Sequence, residues 1–138
     1  MKIVVDSNRI IAALISDGTT RELIFNKEFE FFAPDYMKIE IEKYKDEIIE
    51  KAGLQEDEFD VLFSILFDKI KILSLKEYEG YLKEFSESLS DFKDVAYLAV
   101  CKKINAEGIW THDSGFREQK VVKVFSNIDL LNYLRNLE

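Results

Sequence analysis

The apolar positions of the chain fall into short continuous runs separated by longer stretches with helical spacing. Ile3-Val4-Val5 is wholly apolar and mostly β-branched, and Asp6-Ser7-Asn8 ends it at once. Such a run predicts a strand buried on both faces, the habit of parallel sheets. Four more strands are expected: 30–33, closed by Pro34, then 70–73, 108–111 and 121–125. Between them the spacing predicts helices over 8–16, 36–51, 57–69, 76–85, 88–103 and from Ser126 to Leu137. The helix at 36–51 carries a stripe of Met37, Ile41, Tyr44 and Ile48 and stops at Gly53. Thr19 or Thr20 is expected to cap a further short helix, with Glu22 in its first turn. Ser126 with Asp129 reads as a capping-box variant. Strands that alternate with helices need right-handed crossovers and form a parallel sheet. The expected architecture is a three-layer α/β/α sandwich with five short strands.

Composition changes this picture little. At 138 residues the chain has room for one domain, expected to span 1–138. The single cysteine, Cys101, rules out an intrachain disulfide and reads as a small core residue. No run is long enough to cross a bilayer, and the three apolar residues after Lys2 are too few for a signal-peptide core. A cytoplasmic protein without membrane contact is expected. The net charge of −8 argues against loose, charge-driven binding to nucleic acid and fits a protein that gathers carboxylates around a cation.

With 27 acids in the chain, the informative ones are those placed where burial is costly. Asp6 follows a buried strand, at the carboxyl edge where open α/β sheets bind ligands; its ordinary alternative is to cap the next helix. Asp94 precedes Tyr97, Leu98 and Cys101 at helical spacing, which puts a carboxylate in an apolar stripe. Asp91 lies one turn earlier on the same face, where a capping role explains it well. Asp113 ends the fourth strand as Asp6 ends the first, and Thr111 places a hydroxyl beside it; its alternative is a turn Asp before Ser114-Gly115. Glu40 sits at the edge of the Met37/Ile41/Tyr44 stripe, with Glu42 turned roughly 160° away from it. The acids come from four separated segments.

With these residues in place, the sequence resembles a PIN-domain nuclease along essentially its whole length. The resemblance lies in the opening strand with D-S-N, the helical Glu in APDYMKIEIEKY, the D-x-x-D pair in DFKDVAYLA and W-T-H-D-x-x-F at the fourth strand. It implies a sheet ordered 3-2-1-4-5 and an acidic site of Asp6, Glu40, Asp94 and Asp113, assisted by Asp91, Asn8 and Thr111. Glu42 competes with Glu40, since short gaps shift the match; motif and helix phase both choose Glu40. The resemblance further implies an endoribonuclease dependent on Mg²⁺ or Mn²⁺, with a toxin role beside a cognate antitoxin and a homodimer among the family's habits.

Oxygen ligands suit these ions, and no Cys/His cluster is present for zinc. Without metal the carboxylates should repel one another and raise some pKa values. Arg9, Lys38, Lys93 and Arg117 are candidates for phosphate contact, and metal should be needed for RNA binding as well as chemistry. His112, at a strand tip, reads as exposed and incidental. Ile39, on the outer side of its helix, is a candidate dimer contact. Three other classes fit the sequence less well. An aspartyl phosphatase expects D-x-D after the first strand, where Asn8 stands third. A phospho-acceptor domain expects an Asp after the third strand, where Leu73-Ser74-Leu75 stands. A non-catalytic PIN-fold module binding RNA or protein has no use for the acidic quartet.

Overall fold

The computed structural model describes residues 1–86 and 92–138, with the side chain of residue 92 also outside the description. Five strands, β1 (Lys2–Val5), β2 (Glu30–Pro34), β3 (Ile70–Leu73), β4 (Gly108–Trp110) and β5 (Val124–Phe125), form one sheet. All pairs are parallel, in the order β3-β2-β1-β4-β5, as the α/β/α reading requires. β1 is central, and Ile3, Val4 and Val5 are fully buried. Val5 pairs with Trp110 across β1 and β4, so the next residues, Asp6 and Thr111, emerge side by side at the carboxyl edge.

The helices are α1 (Ser7–Ile15), α2 (Thr19–Ile24), α3 (Tyr36–Lys43), α4 (Lys45–Ala52), α5 (Glu56–Phe67), α6 (Leu75–Tyr78), α7 (Leu82–Phe85), α8 (Phe92–Ile104) and α9 (Asn127–Arg135). No helix among the described residues is long and apolar enough to cross a membrane. The capping box of Ser126 and Asp129 opens α9, and Gly53 ends α4 at a left-handed φ of 68°.

Several expected elements differ. The helix over 36–51 is two helices, α3 and α4, parted at Tyr44. There the Tyr44 N–H bonds the Ile41 carbonyl three residues back, a tighter turn that swings Tyr44 outward and lets Ile48 settle beside Ile11 and Ile15 of α1. Neither Thr19 nor Thr20 caps α2; Gly18 holds that position, and the Thr20 hydroxyl accepts a bond from the Asn127 amide instead. The span 76–85 is α6 and α7 joined by a 3₁₀ turn at Glu79–Tyr81. β5 is shorter than 121–125 because buried Gln119 does the work of a neighbouring strand. Its carbonyl accepts from the Val121 and Val122 N–H groups at 2.9 and 2.7 Å, and its amide donates to the Phe116 and Val122 carbonyls. The expected start of α8 at Ser88 lies outside the described residues.

Candidate active site

Asp6 holds the N-cap position of α1, with extended backbone (φ −77°, ψ 149°), yet its side chain makes no capping bond. The ordinary capping role is therefore not what the carboxylate does. It is 5% exposed and turned toward the crevice between β1 and β4. Its Oδ2 accepts a 2.7 Å bond from the Thr111 hydroxyl.

Thr111 organises this edge. Besides donating to Asp6, its Oγ1 accepts from the Asn8 side-chain amide at 3.2 Å and from the Asp113 backbone N–H at 3.0 Å. One donor and two acceptor positions exhaust what a hydroxyl offers. The Thr111 rotamer is thereby fixed, and with it the side of Asp6 that faces β4.

The other side of Asp6 leads to α3. The Ser7 hydroxyl lies 3.5 Å from Asp6 Oδ1 and 3.2 Å from Glu40 Oε2. Having one proton, it serves one of them at a time. Glu40 Oε1 accepts a 2.7 Å bond from the buried Tyr97 hydroxyl of α8. Glu42 is exposed, so of the two helical glutamates Glu40 is the one brought to Asp6.

Asp94 and Asp113 meet at Gly115. A Cβ built on Gly115 would stand 3.5 Å from Asp94 Oδ2 and 3.3 Å from Asp113 Oδ1, so both carboxylates lie against the bare backbone there. Asp94 is half-buried and Asp113 exposed. Asp113 also opens a 3₁₀ turn, Ser114–Glu118, by accepting the Gly115 N–H at 2.9 Å, so the turn role is real and leaves Oδ2 to other use. Asp91 lies outside the described residues.

Burial raises the Asp6 pKa from 3.8 to about 6. The Thr111 bond and the Ser7 backbone N–H oppose that rise, while the charges of Glu40 and Asp113 add to it. Repulsion among the acids is thus present, but loss of water is the larger cause. Tyr97 is held well above its usual value, first by burial and then by Glu40 and Asp6, and remains a donor.

The donors here are all oxygen: carboxylates of Asp6, Glu40, Asp94 and Asp113, with hydroxyls around them. That set suits a hard divalent cation. Among the described residues no three His, Cys, Asp or Glu side chains are already grouped as a complete ion cage. A cation such as Mg²⁺, which keeps several waters and takes one or two carboxylates directly, needs no such cage.

Cations line the same edge. Arg9 donates from Nε to the Asn8 carbonyl oxygen at 2.9 Å, and burial lowers its pKa against the raising effect of Asp6. His112 is exposed, accepts the Asn127 N–H at Nε2, and feels the charges of both Arg9 and Arg117. Its pKa falls, chiefly through desolvation. Lys38 instead lies over the Phe67 ring at 5.3 Å. Cys101 is buried, and burial pushes its thiol pKa up. Ile39 is exposed beside an apolar groove that includes Tyr36, Leu75 and Leu82.

Two residues that bond these acids have no role of their own in the sequence reading. Ser7 enters it only as the middle of the D-S-N that ends the first strand, and Tyr97 only as a member of an apolar stripe. The only signal for Tyr97 was a hydroxyl in a run of α8 that otherwise buries Val95, Ala96, Leu98, Ala99, Val100 and Cys101.

A family model described as the PIN domain matches residues 4–126, nearly the whole chain and every acid of the candidate site. No curated protein matches the sequence.

Proposed function

The chain belongs to the PIN domain family, whose members are generally nucleases, and on that premise we propose that it is a divalent-metal-dependent endoribonuclease. The observation that carries this reading is the convergence of acids at one sheet edge. Asp6, buried and raised in pKa, shares Ser7 with Glu40 and lies within the electrostatic reach of Asp113.

In this reading Asp6, Asp94 and Asp113 bind the cation, Mg²⁺ or Mn²⁺, with Glu40 and Asp91 as further acidic ligands. When bound, the ion supplies a polarised water at neutral pH and offsets the charge that builds on the phosphodiester. The protein's own part is orientation. Thr111, itself held by the Asn8 amide, holds Asp6 from one side. Arg9, whose charge is coupled to Asp6, and Arg117, whose charge reaches His112, meet substrate phosphates in this reading. Because the chain is acidic overall, RNA binding depends on the metal as well as on these two side chains. A cytoplasmic toxin, restrained by an antitoxin and acting as a homodimer, is the role proposed for such an activity, with Ile39 in the dimer contact.

Purified protein incubated with a mixed RNA pool should cleave it with Mn²⁺ and stop when chelator is added. Asp6→Asn and Asp94→Asn should abolish cleavage and keep the cooperative melt. Cleavage that persists in chelator, or in both variants, overturns the reading. RNA retention without cleavage, unchanged in the variants, would instead mark a non-catalytic PIN module.

A further inference from the structure

Tyr97 is 1% exposed and stands on α8 three residues after Asp94. A phenylalanine would fill the same space without burying a hydroxyl, and a buried hydroxyl is unfavourable unless it is bonded. Here the hydroxyl reaches across 57 residues of sequence to Glu40 Oε1, at 2.7 Å. The Ser7 hydroxyl takes the other oxygen, Oε2, at 3.2 Å. A carboxylate held at one oxygen by Tyr97 and reached at the other by a Ser7 hydroxyl that it shares with Asp6 is restricted in its rotation. The ring of Tyr97 also packs edge-on against Phe116, with centroids 6.2 Å apart and planes at 90°. Phe116 belongs to the turn that Asp113 opens. One side chain therefore touches the segments that carry three acids: its own helix with Asp94, α3 with Glu40, and the turn after Asp113.

We propose that Tyr97, with Ser7, is a positioning residue that clamps Glu40 toward Asp6 and so sets the cation affinity of the site. The proposal rests on the metal-dependent nuclease reading for its context, but its content is binding. Tyr97 touches no substrate and acts through Glu40. Groups that orient a metal ligand through a hydrogen bond commonly alter affinity by about 10- to 100-fold.

The test is a double-mutant cycle read by Mn²⁺ titration, using calorimetry or the electron paramagnetic resonance of unbound Mn²⁺, with melting curves on the same samples. Tyr97→Phe should weaken Mn²⁺ binding about tenfold in the wild-type background. In a Glu40→Gln background it should change Mn²⁺ binding no further, because the residue it acts through has gone. An equal loss in both backgrounds would mean that Tyr97 acts by packing alone, and no loss in either would mean that Glu40 needs no clamp; each overturns the proposal. So does a wild-type protein that takes up no Mn²⁺ at millimolar concentration. Should Tyr97→Phe lose its cooperative melt, Ser7→Ala carried through the same cycle decides by the same criteria. Wild-type protein that binds Mn²⁺ with the cycle coupled, yet cleaves no RNA, overturns the nuclease reading and leaves the role of Tyr97 standing.

Discussion

The Thr111 hydroxyl donates a 2.7 Å hydrogen bond to Asp6 Oδ2 across 105 residues of sequence, joining the residues that follow two neighbouring parallel strands. The same oxygen accepts from Asn8 and from the Asp113 backbone. Thr111→Val keeps the shape and removes all three bonds. Leaving buried polar groups without that partner should destabilise the protein by about 1–3 kcal/mol. Urea denaturation in chelator measures this, and Thr111→Ser should recover most of the loss.

The pH dependence of stability has an unusual sign at Asp6. Its folded pKa, about 6, lies above the ordinary value of 3.8. Between those values the folded state holds the proton more tightly than the unfolded chain, so metal-free stability falls as pH rises through the window and levels off above it. The total is on the order of 3 kcal/mol. Asp6→Asn should remove this slope and be more stable than wild type at pH 7.5 in chelator, with the advantage shrinking toward pH 4. Denaturation midpoints of the two proteins across that range check it.

Metal should reverse the same penalty. Mn²⁺ at a hundred times its dissociation constant stabilises a folded protein by about 2.7 kcal/mol. The rise in melting temperature should be largest near pH 7.5, smaller at pH 5 where protons compete for Asp6, and absent in Asp6→Asn. Thermal melts with and without Mn²⁺ at the two pH values provide the comparison.

Glu40 and Glu42 separate cleanly by substitution. Glu40→Gln should lower Mn²⁺ affinity and RNA cleavage by at least about tenfold, as its place in the proposed metal site implies. Glu42→Gln, on the exposed face of α3, should leave both unchanged. A parallel titration and cleavage assay on the two variants is sufficient.

Gly115 predicts a purely local effect. An added Cβ would sit 3.3 Å from Asp113 Oδ1 and 3.5 Å from Asp94 Oδ2. The tighter of these contacts is to an exposed side chain on a short turn, which can yield by a few tenths of an ångström. Gly115→Ala should therefore shift the melting temperature little while weakening Mn²⁺ binding several-fold, because a methyl group then presses on both carboxylates. Melting and titration together distinguish this from a folding defect.

What was legible in the sequence follows from burial. Ile3-Val4-Val5 had to be a central strand because no one-sided sheet buries three successive side chains. Once strands and helices alternated, chain-crossing rules left a parallel sheet as the outcome. Asp6 and Asp94 stood out because each is an acid next to apolar neighbours. Helix phase, a local property, already turned Glu40 inward and Glu42 outward.

Only the tertiary structure decided which hydroxyls serve those acids. Thr111, Ser7 and Tyr97 reach Asp6 and Glu40 from other elements, and no local spacing encodes a bond spanning 57 or 105 residues. The break at Tyr44 and the shortened β5 belong to the same class. The first answers to how Ile48 meets α1, the second to Gln119 satisfying backbone that would otherwise extend a strand. Side-chain period reports which face is buried. It does not report which polar atom waits on the other side, and that pairing is what joins Asp6 to Glu40 through Ser7.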